Sequence, residues 1–212
     1  MSLVRQFRNK HKGERCFICA TGPSLNKVDL SLLDNEITFG VNSFYKTGRL
    51  PTYYGISDMH VWFNHRHILR KLDTQFFITG KAHMKFIEAP VEMRRQPVLL
   101  PELKHGGFAT DIERGLYNGD SVIYDVCMQV AFYMGFENVY IIGLDWDYSG
   151  DHHFDGSQVD NHAGGAAGKW QSCIDSFERA RYTFQKNGRG LYNATVGGKC
   201  DVLKRVQFKS LF

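Results

Sequence analysis

The sequence predicts an α/β domain of the doubly wound type, with a mainly parallel sheet and helices on both faces. Short apolar runs end in polar or turn-forming residues, as buried parallel strands do. A long amphipathic helix pattern also leads directly into the most hydrophobic run of the chain, Asn138 to Leu144. Strand patterns that alternate with helix patterns are typical of this fold class.

The composition is that of one folded unit, and we treat residues 1–212 as a single domain. Of the 212 residues, 43% are hydrophobic and 14% aromatic, which argues against disorder. The net charge of +4 is mild and the basic residues are scattered, so a nucleic acid is not the expected partner. Without a bilayer-length apolar run or a signal-peptide core, the expected location is the cytoplasm.

The first half of the chain contains most of the predicted strands. Asp58 is placed to cap a helix that runs through Val61, Trp62, His65 and Leu69. The region from Pro101 to Asp120 has no periodicity and is predicted to be a loop. The predicted strands here are Arg15 to Ala20, Ile37 to Asn42, Thr52 to Ser57, Phe76 to Thr79 and Pro97 to Leu100.

In the second half, Ser121 opens a helix that Gly135 ends, because glycine readily takes the left-handed cap conformation. The strand Asn138 to Leu144 follows. A loop or lid at about 146–169 precedes a helix from Trp170 to Lys186, and Leu191 to Thr195 is the last predicted strand.

The five cysteines suggest reduced thiols in a reducing compartment. Cys16 and Cys19 form a C-x-x-C pattern within the first strand, where residues three apart point to opposite faces. We therefore interpret them as buried strand residues rather than as a redox pair or zinc ligands.

Polar residues cluster where the predicted strands end. In an open parallel sheet, ligands bind outside the carboxyl ends of the strands, near the point where strand order reverses. Each of these residues is also compatible with a plain capping or turn role, and it is their shared edge that predicts a site. The residues are Thr21, Ser24, Asn42, Ser57, Asp58, Asp145, Asn193 and Thr195, and Ser121 is a further capping candidate.

The turn Thr21-Gly22-Pro23-Ser24-Leu25 is the first candidate for ligand binding. Gly22 allows close approach of a ligand, Pro23 stiffens the turn, and the amides that follow can receive a phosphate oxygen. A simple tight turn is an equally good explanation of the motif. It matches neither a Walker loop nor G-x-G-x-x-G, which argues against P-loop kinases and dinucleotide oxidoreductases.

The second candidate region is the polar stretch from Asp145 to Asp155. His153 is the candidate general base, since an imidazole takes up a proton near neutral pH; a surface loop position is the alternative. Asp145 and Asp147 form a D-x-D pair that would hold a divalent cation, or Asp145 caps backbone amides instead. A zinc site from His152, His153 and His162 lacks a strict ligand spacing.

Taken together, these motifs resemble a known group of enzymes. The residues that carry the resemblance are Ala20 to Leu25, Val41 to Tyr45, Met134 to Asp145, and His153-Phe154. In order and spacing the chain is similar to bacterial sialyltransferases that complete lipooligosaccharides, and to the motility accessory factor domains of flagellin glycosylation. The group also includes proteins similar to archaeal-type hydroxymethylpterin diphosphokinases.

The resemblance implies a Rossmann-like glycosyltransferase that takes a nonulosonic acid from a cytidine-monophosphate-linked donor and needs no cofactor. The acceptor would be a hydroxyl of a surface glycan or lipid-linked glycan, with inversion at the sugar and His153 as base. Thr21 replaces the asparagine of the family's G-N-G-P-S turn, and Tyr148 is the nearest match to its phosphate-assisting tyrosines. The resemblance assigns donor phosphate and ribose to Thr21, Gly22, Ser24 and Asn42, and the donor carboxylate to Ser121. With the other residues of the turn and the sheet edge, the predicted donor-binding set also includes Pro23, Ser57, Asp58, Asp145 and Tyr148.

Two other functions remain open on the same residues. The first is pyrophosphate transfer from ATP to a pterin-like alcohol, with Mg²⁺ held by Asp145 and Asp147. The second is a non-catalytic domain that binds a nucleotide sugar.

The C-terminal stretch Lys199 to Phe212 mixes basic and apolar residues, which is compatible with peripheral contact with an inner membrane. Edge packing or a homo-oligomer contact explains this short and modestly basic run better. We expect a homo-oligomer.

Overall fold

The structure is a computed structural model that describes residues 3–80, 82–83, 86, 92–147, 152–157 and 166–212. Its main feature is an eight-stranded sheet in which every pair of neighbouring strands is parallel, in the order β10-β9-β8-β1-β2-β3-β4-β5. Its strands are β1 (Arg15–Cys19), β2 (Ile37–Val41), β3 (Tyr53–Ile56), β4 (Gln75–Ile78), β5 (Val98–Leu99), β8 (Asn138–Ile142), β9 (Gly190–Asn193) and β10 (Lys204–Arg205).

The strand order reverses between β1 and β8. From β1 the chain builds the sheet in one direction through β5, and it then returns to place β8 on the other side of β1. The two strands pair in register from Arg15 with Asn138 to Cys19 with Ile142. Both are buried along most of their length, which explains their nearly continuous apolar sequences.

Among the described residues, three α-helices flank the sheet: α1 (Met59–Leu69), α2 (Gln129–Met134) and α3 (Ala166–Lys186). The side chain of Asp58 accepts a hydrogen bond from the His60 amide at 2.6 Å, so the predicted cap of α1 is confirmed. Gly135 ends α2 in the left-handed conformation with φ 88°, also as predicted. With helices on both sides of a parallel sheet, the predicted fold class is confirmed as Rossmann-like α/β.

Some predictions differ from the structure in detail. The helix predicted from Ser121 to Gly135 is present, but its first part, Ile123–Met128, is π-helical before α2 continues it. α3 begins at Ala166 rather than Trp170, because its first turn has no apolar periodicity to reveal it. The predicted loop 101–120 contains the two-residue strands β6 (Glu102–Leu103) and β7 (Leu116–Tyr117), which pair in parallel and are too short to show a period.

Two hydrophobic clusters lie against the sheet. One includes Cys16 and Ile18, and the other includes Phe17 and Cys19, so alternate residues of β1 face opposite layers. Burial raises the pKa of both cysteine thiols, and neither is in a disulfide. The C-x-x-C pattern is therefore confirmed as a feature of a buried strand.

The C-terminal segment packs on the protein itself. Leu203 and Phe208 are 1% and 3% exposed, and the Phe212 ring stacks on Phe17 at 5.6 Å between centroids. These contacts agree with the edge-packing interpretation of residues 199–212. Within the described ranges, no helix combines the length and the apolar character needed to cross a bilayer.

Candidate functional site

A cavity of about 620 Å³ opens at the carboxyl edge of the sheet, where strand order reverses between β1 and β8. This is where open α/β sheets place their ligands. The structure brings most of the predicted site residues to this one cavity: Thr21, Gly22, Asn42, Ser57, Asp58, Ser121, Asp145 and His153 all line it. Pro23 and Ser24 form the adjoining turn, and Tyr148 and His162 lie outside the described residues.

The turn after β1 is joined to the end of β8 by backbone and side-chain hydrogen bonds. The Gly22 amide donates to the Gly143 carbonyl at 2.9 Å. The Ser24 amide and hydroxyl both donate to the Asp145 carboxylate, at 3.2 Å and 2.7 Å. Asp145 therefore caps the Ser24 amide, one of the turn amides that the sequence suggested as phosphate ligands. These contacts fit the capping interpretation of Asp145.

Gly22 is required by this junction between the two strands. Its φ of −69° is open to any residue, so backbone freedom is not the reason for glycine here. A Cβ at this position would overlap the Asp145 carboxylate and lie 2.5 Å from the Gly143 carbonyl oxygen. The close approach inferred for Gly22 from the sequence is thus made by the protein's own strand ends.

Strained backbone is concentrated around the cavity. Asn42, Asp120 and Trp146 have φ values of 48°, 60° and 50°, and all three line it. Non-glycine residues adopt this left-handed conformation at an energetic cost, and such residues cluster at functional sites. Asn42 is held there in part by Tyr54, whose hydroxyl donates to the Asn42 carbonyl at 2.7 Å.

His153 is fixed over the turn that follows β1. Its Nδ1 lies 3.1 Å from the Thr21 hydroxyl oxygen, and the next amide, that of Phe154, donates to the Thr21 carbonyl at 2.9 Å. Burial lowers the pKa of His153 below its ordinary value of 6.5, while a hydrogen bond to the Thr21 main chain opposes the shift. The ring is therefore neutral at pH 7. When Nδ1 carries the proton and donates to Thr21, Nε2 is the nitrogen that can accept a proton.

Asp125 is a site residue that the sequence reasoning missed. It is 5% exposed, lines the cavity from the π-helical segment, and accepts hydrogen bonds from the amides of Gly119 at 2.7 Å and Ser121 at 3.4 Å. Burial raises the pKa of Asp125 to about 7. Hydrogen bonds to its carboxylate, including one from the Ser57 side chain, act in the opposite direction and lower the pKa. The available signal was a carboxylate within an otherwise apolar helix pattern, since a buried acid is rare without partners.

The cavity is rich in carboxylates. Of the described residues that line it, none is a lysine or arginine, and three are histidines: His60, His152 and His153. Lys199 approaches from outside and pairs with Asp147 at 3.0 Å. The carboxylates that line the cavity are Asp58, Glu102, Asp120, Asp125, Asp145 and Asp147.

These acids do not form a ready metal site. Among the residues that the structure describes, no three histidine, cysteine, aspartate or glutamate side chains are grouped closely enough to hold an ion. Asp145, one half of the D-x-D pair, directs its carboxylate to Ser24. A magnesium ion held by Asp145 and Asp147 would therefore compete with the Ser24 contacts for the Asp145 carboxylate.

No protein-family model matches the chain, and no curated protein matches it. The fold and the cavity define a Rossmann-like α/β protein with an acidic, histidine-bearing cavity at the switch point of its sheet.

Proposed function

We propose that the protein is an inverting glycosyltransferase that transfers a sialic-acid-like nonulosonic acid from a cytidine-monophosphate-linked donor to an acceptor hydroxyl. The observation that carries the proposal is the neutral His153, held by Thr21 at the switch-point cavity. A base in that position needs a low enough pKa to be unprotonated at pH 7 and a fixed orientation, and His153 has both.

In the proposed reaction, the acceptor hydroxyl loses its proton to Nε2 of His153. The acceptor oxygen forms the new bond to the anomeric carbon, and the bond from that carbon to the phosphate oxygen breaks. The electron pair of the broken bond leaves with the phosphate. Glycosyl transfer of this kind develops positive charge on the sugar ring.

The acidic lining is suited to that transition state. Fixed carboxylates at the cavity would stabilise a cation that develops on the sugar ring, because they interact more strongly with the charged ring than with the uncharged ring of the ground state. The same carboxylates oppose binding of the anionic donor before the reaction begins. Asn42 and Ser121, which line the cavity, would supply uncharged polar contacts for the donor.

The acceptor under this proposal is a surface glycan or lipid-linked glycan. Cys16, Cys19, Cys127 and Cys200 are buried thiols that form no disulfide, which supports a cytoplasmic location. A lipid-linked acceptor would bring the enzyme to the inner membrane surface.

One observation favours a second candidate, pyrophosphate transfer from ATP to a pterin-like alcohol. Six carboxylates without a lysine or arginine among the described lining residues repel free polyphosphate, so ATP would bind better as its magnesium complex. Against it, the side chains around Asp145 do not form a metal site. The sugar transferase accounts for His153 and is the stronger proposal.

A panel of nucleotides distinguishes these functions. We expect CMP and CDP to raise the melting temperature without metal, because bound ligand stabilises the folded state. Stabilisation by ATP only with magnesium would instead support pyrophosphate transfer. If no nucleotide in a set of CMP, CDP, UDP, ADP and ATP gives a shift, both proposals are rejected; binding without turnover would indicate a non-catalytic domain.

A further inference from the structure

A lysine from a different part of the sheet edge holds the segment that carries His153. Lys46 lies in the short 3-10 turn Phe44–Thr47 that follows β2, and its ammonium group pairs with the carboxylate of Asp155. The Asp155 side chain is 12% exposed and that of Lys46 is 39% exposed, so the carboxylate is shielded from water while the ammonium group stays partly hydrated. Neither residue was singled out from the sequence as part of the site.

Asp155 also organises its own loop. Its Oδ1 accepts from the Ser157 amide at 3.2 Å and from the Ser157 hydroxyl at 2.6 Å, while Oδ2 faces Lys46. Burial alone would raise the pKa of Asp155, yet the bonds from Lys46 and Ser157 bring it well below its ordinary value. The carboxylate is therefore charged throughout the neutral range, and so is its lysine partner.

Three residues from two parts of the fold restrain residues 153–155: Thr21 and Asn26 from the segment after β1, and Lys46 from the turn after β2. Thr21 binds His153 and the Phe154 amide, and Asn26 donates to the Phe154 carbonyl at 2.8 Å. Lys46 supplies the third contact, to Asp155, which lies two residues after His153 in sequence. With three restraints on three successive residues, the imidazole has little freedom to leave the cavity.

We propose that Lys46 and Asp155 are positioning residues, whose ion pair holds His153 in the orientation needed to accept a proton. The inference rests on the proposed function in one respect, that His153 is the base. Removal of the lysine charge breaks the contact between Asp155 and the turn that follows β2. It also leaves the partly buried Asp155 carboxylate without its cation. A small displacement of a catalytic group is enough to lower the rate strongly.

The test uses Lys46→Met, which keeps most of the side-chain stem and removes the charge. Lys71→Met, at an exposed position beyond α1, is the matched control. We expect Lys46→Met to lower kcat by roughly 10 to 100-fold while KM for the CMP-linked donor changes less than about threefold. The charge-reversed double variant Lys46→Asp with Asp155→Lys restores the pair and should recover part of kcat.

A second measurement does not depend on turnover. Nitrogen-15 NMR of the histidine rings, with His153 assigned by comparison with His153→Ala, reports which ring nitrogen carries the proton. In Lys46→Met we expect the fixed tautomer of His153 to give way to a mixture, and its titration to move to higher pH, because a nearby cation is lost and the ring becomes more hydrated.

The two proposals fail in different ways. If Lys46→Met retains wild-type kcat, or the His153 resonances do not change in a folded Lys46→Met protein, the positioning role is overturned. If no donor supports turnover but the His153 tautomer still responds to Lys46→Met, the positioning role stands and the transferase proposal falls. Should Lys46→Met not fold, Asp155→Asn is measured in its place against the same criteria.

Discussion

The hydroxyl oxygen of Thr21 lies 3.1 Å from Nδ1 of His153, across 132 positions of sequence. The contact joins the turn after β1 to the loop that follows β8, so it spans the point where the strand order reverses. It fixes the imidazole and leaves its second nitrogen for a ligand. The predictions about catalysis follow from this contact.

His153→Ala should retain nucleotide binding and lose most turnover, by about 10² to 10⁴-fold in kcat. The reason is that the ring supplies proton transfer, whereas the turn and Asn42 remain in place to hold the donor. Isothermal titration with CMP, together with steady-state kinetics, separates the two effects. His67→Ala, which removes an exposed histidine of α1, is the control. A His153→Ala enzyme with wild-type kcat would exclude His153 as the base.

The pH profile should report the lowered pKa of His153. A general base is active only when unprotonated, so kcat/KM falls as the pH drops through its pKa. Because burial lowers that pKa from 6.5, the acid limb should lie below pH 6.5. An acid limb at or above pH 6.5 in the free enzyme would contradict the assignment, and so would a limb that persists in His153→Ala.

Thr21→Val should impair the same step through the hydroxyl alone. Valine keeps the shape of threonine and removes the contact to Nδ1, so the ring loses one of its restraints. We expect kcat to fall about tenfold, the equivalent of one hydrogen bond, with donor KM little changed. Thr21→Ser keeps a hydroxyl and should retain most of kcat; if serine and valine behave alike, the hydroxyl has no role in positioning the base.

The parts of the fold that the sequence predicts well are those with a strong local signal. β1 and β8 are continuous apolar runs, Asp58 precedes a helix as a cap, and Gly135 ends one in the left-handed conformation. Each of these features depends on residues a few positions apart. Local pattern is sufficient for them.

The remaining parts depend on contacts between residues far apart in sequence. Asp145 meets Ser24 across 121 positions, so no local pattern indicates that its carboxylate caps a turn instead of facing a cation. Asp125 becomes a cavity residue only because Gly119 and Ser57 fold against it. β6 and β7 are two residues each, which is too short for a periodicity of two to be visible.

Gly22→Ala should destabilise the protein by about 1 to 3 kcal/mol, the usual cost of overpacking. The added methyl group meets the Asp145 carboxylate and the Gly143 carbonyl, and the junction of β1 with β8 must open to admit it. Urea denaturation of the single and double variants measures the effect. In an Asp145→Ala background the same change should cost less, because one of the two obstacles is gone; an equal cost in both backgrounds would show that the carboxylate is not the obstacle.

Asp125→Asn should change how stability depends on pH. The folded state raises the pKa of Asp125 from 3.8 to about 7, chiefly through burial, so it binds the proton more tightly than the unfolded chain does. The stability contributed by the protonated carboxyl is therefore complete below about pH 3.8 and is lost as the pH rises through 7. For this one group the loss is on the order of 4 kcal/mol between those limits.

Asparagine keeps an oxygen that can accept the Gly119 amide and never carries the buried charge. We therefore expect Asp125→Asn to equal or exceed the wild-type free energy of unfolding at pH 8, and to lack the decline between pH 4 and 7. Urea denaturation at a series of pH values measures both, with Asp201→Asn at an exposed position as the control. If the wild type and Asp125→Asn decline in parallel over this range, Asp125 is ionised with an ordinary pKa in the folded protein, and its hydrogen bonds to Gly119, Ser121 and Ser57 outweigh its burial.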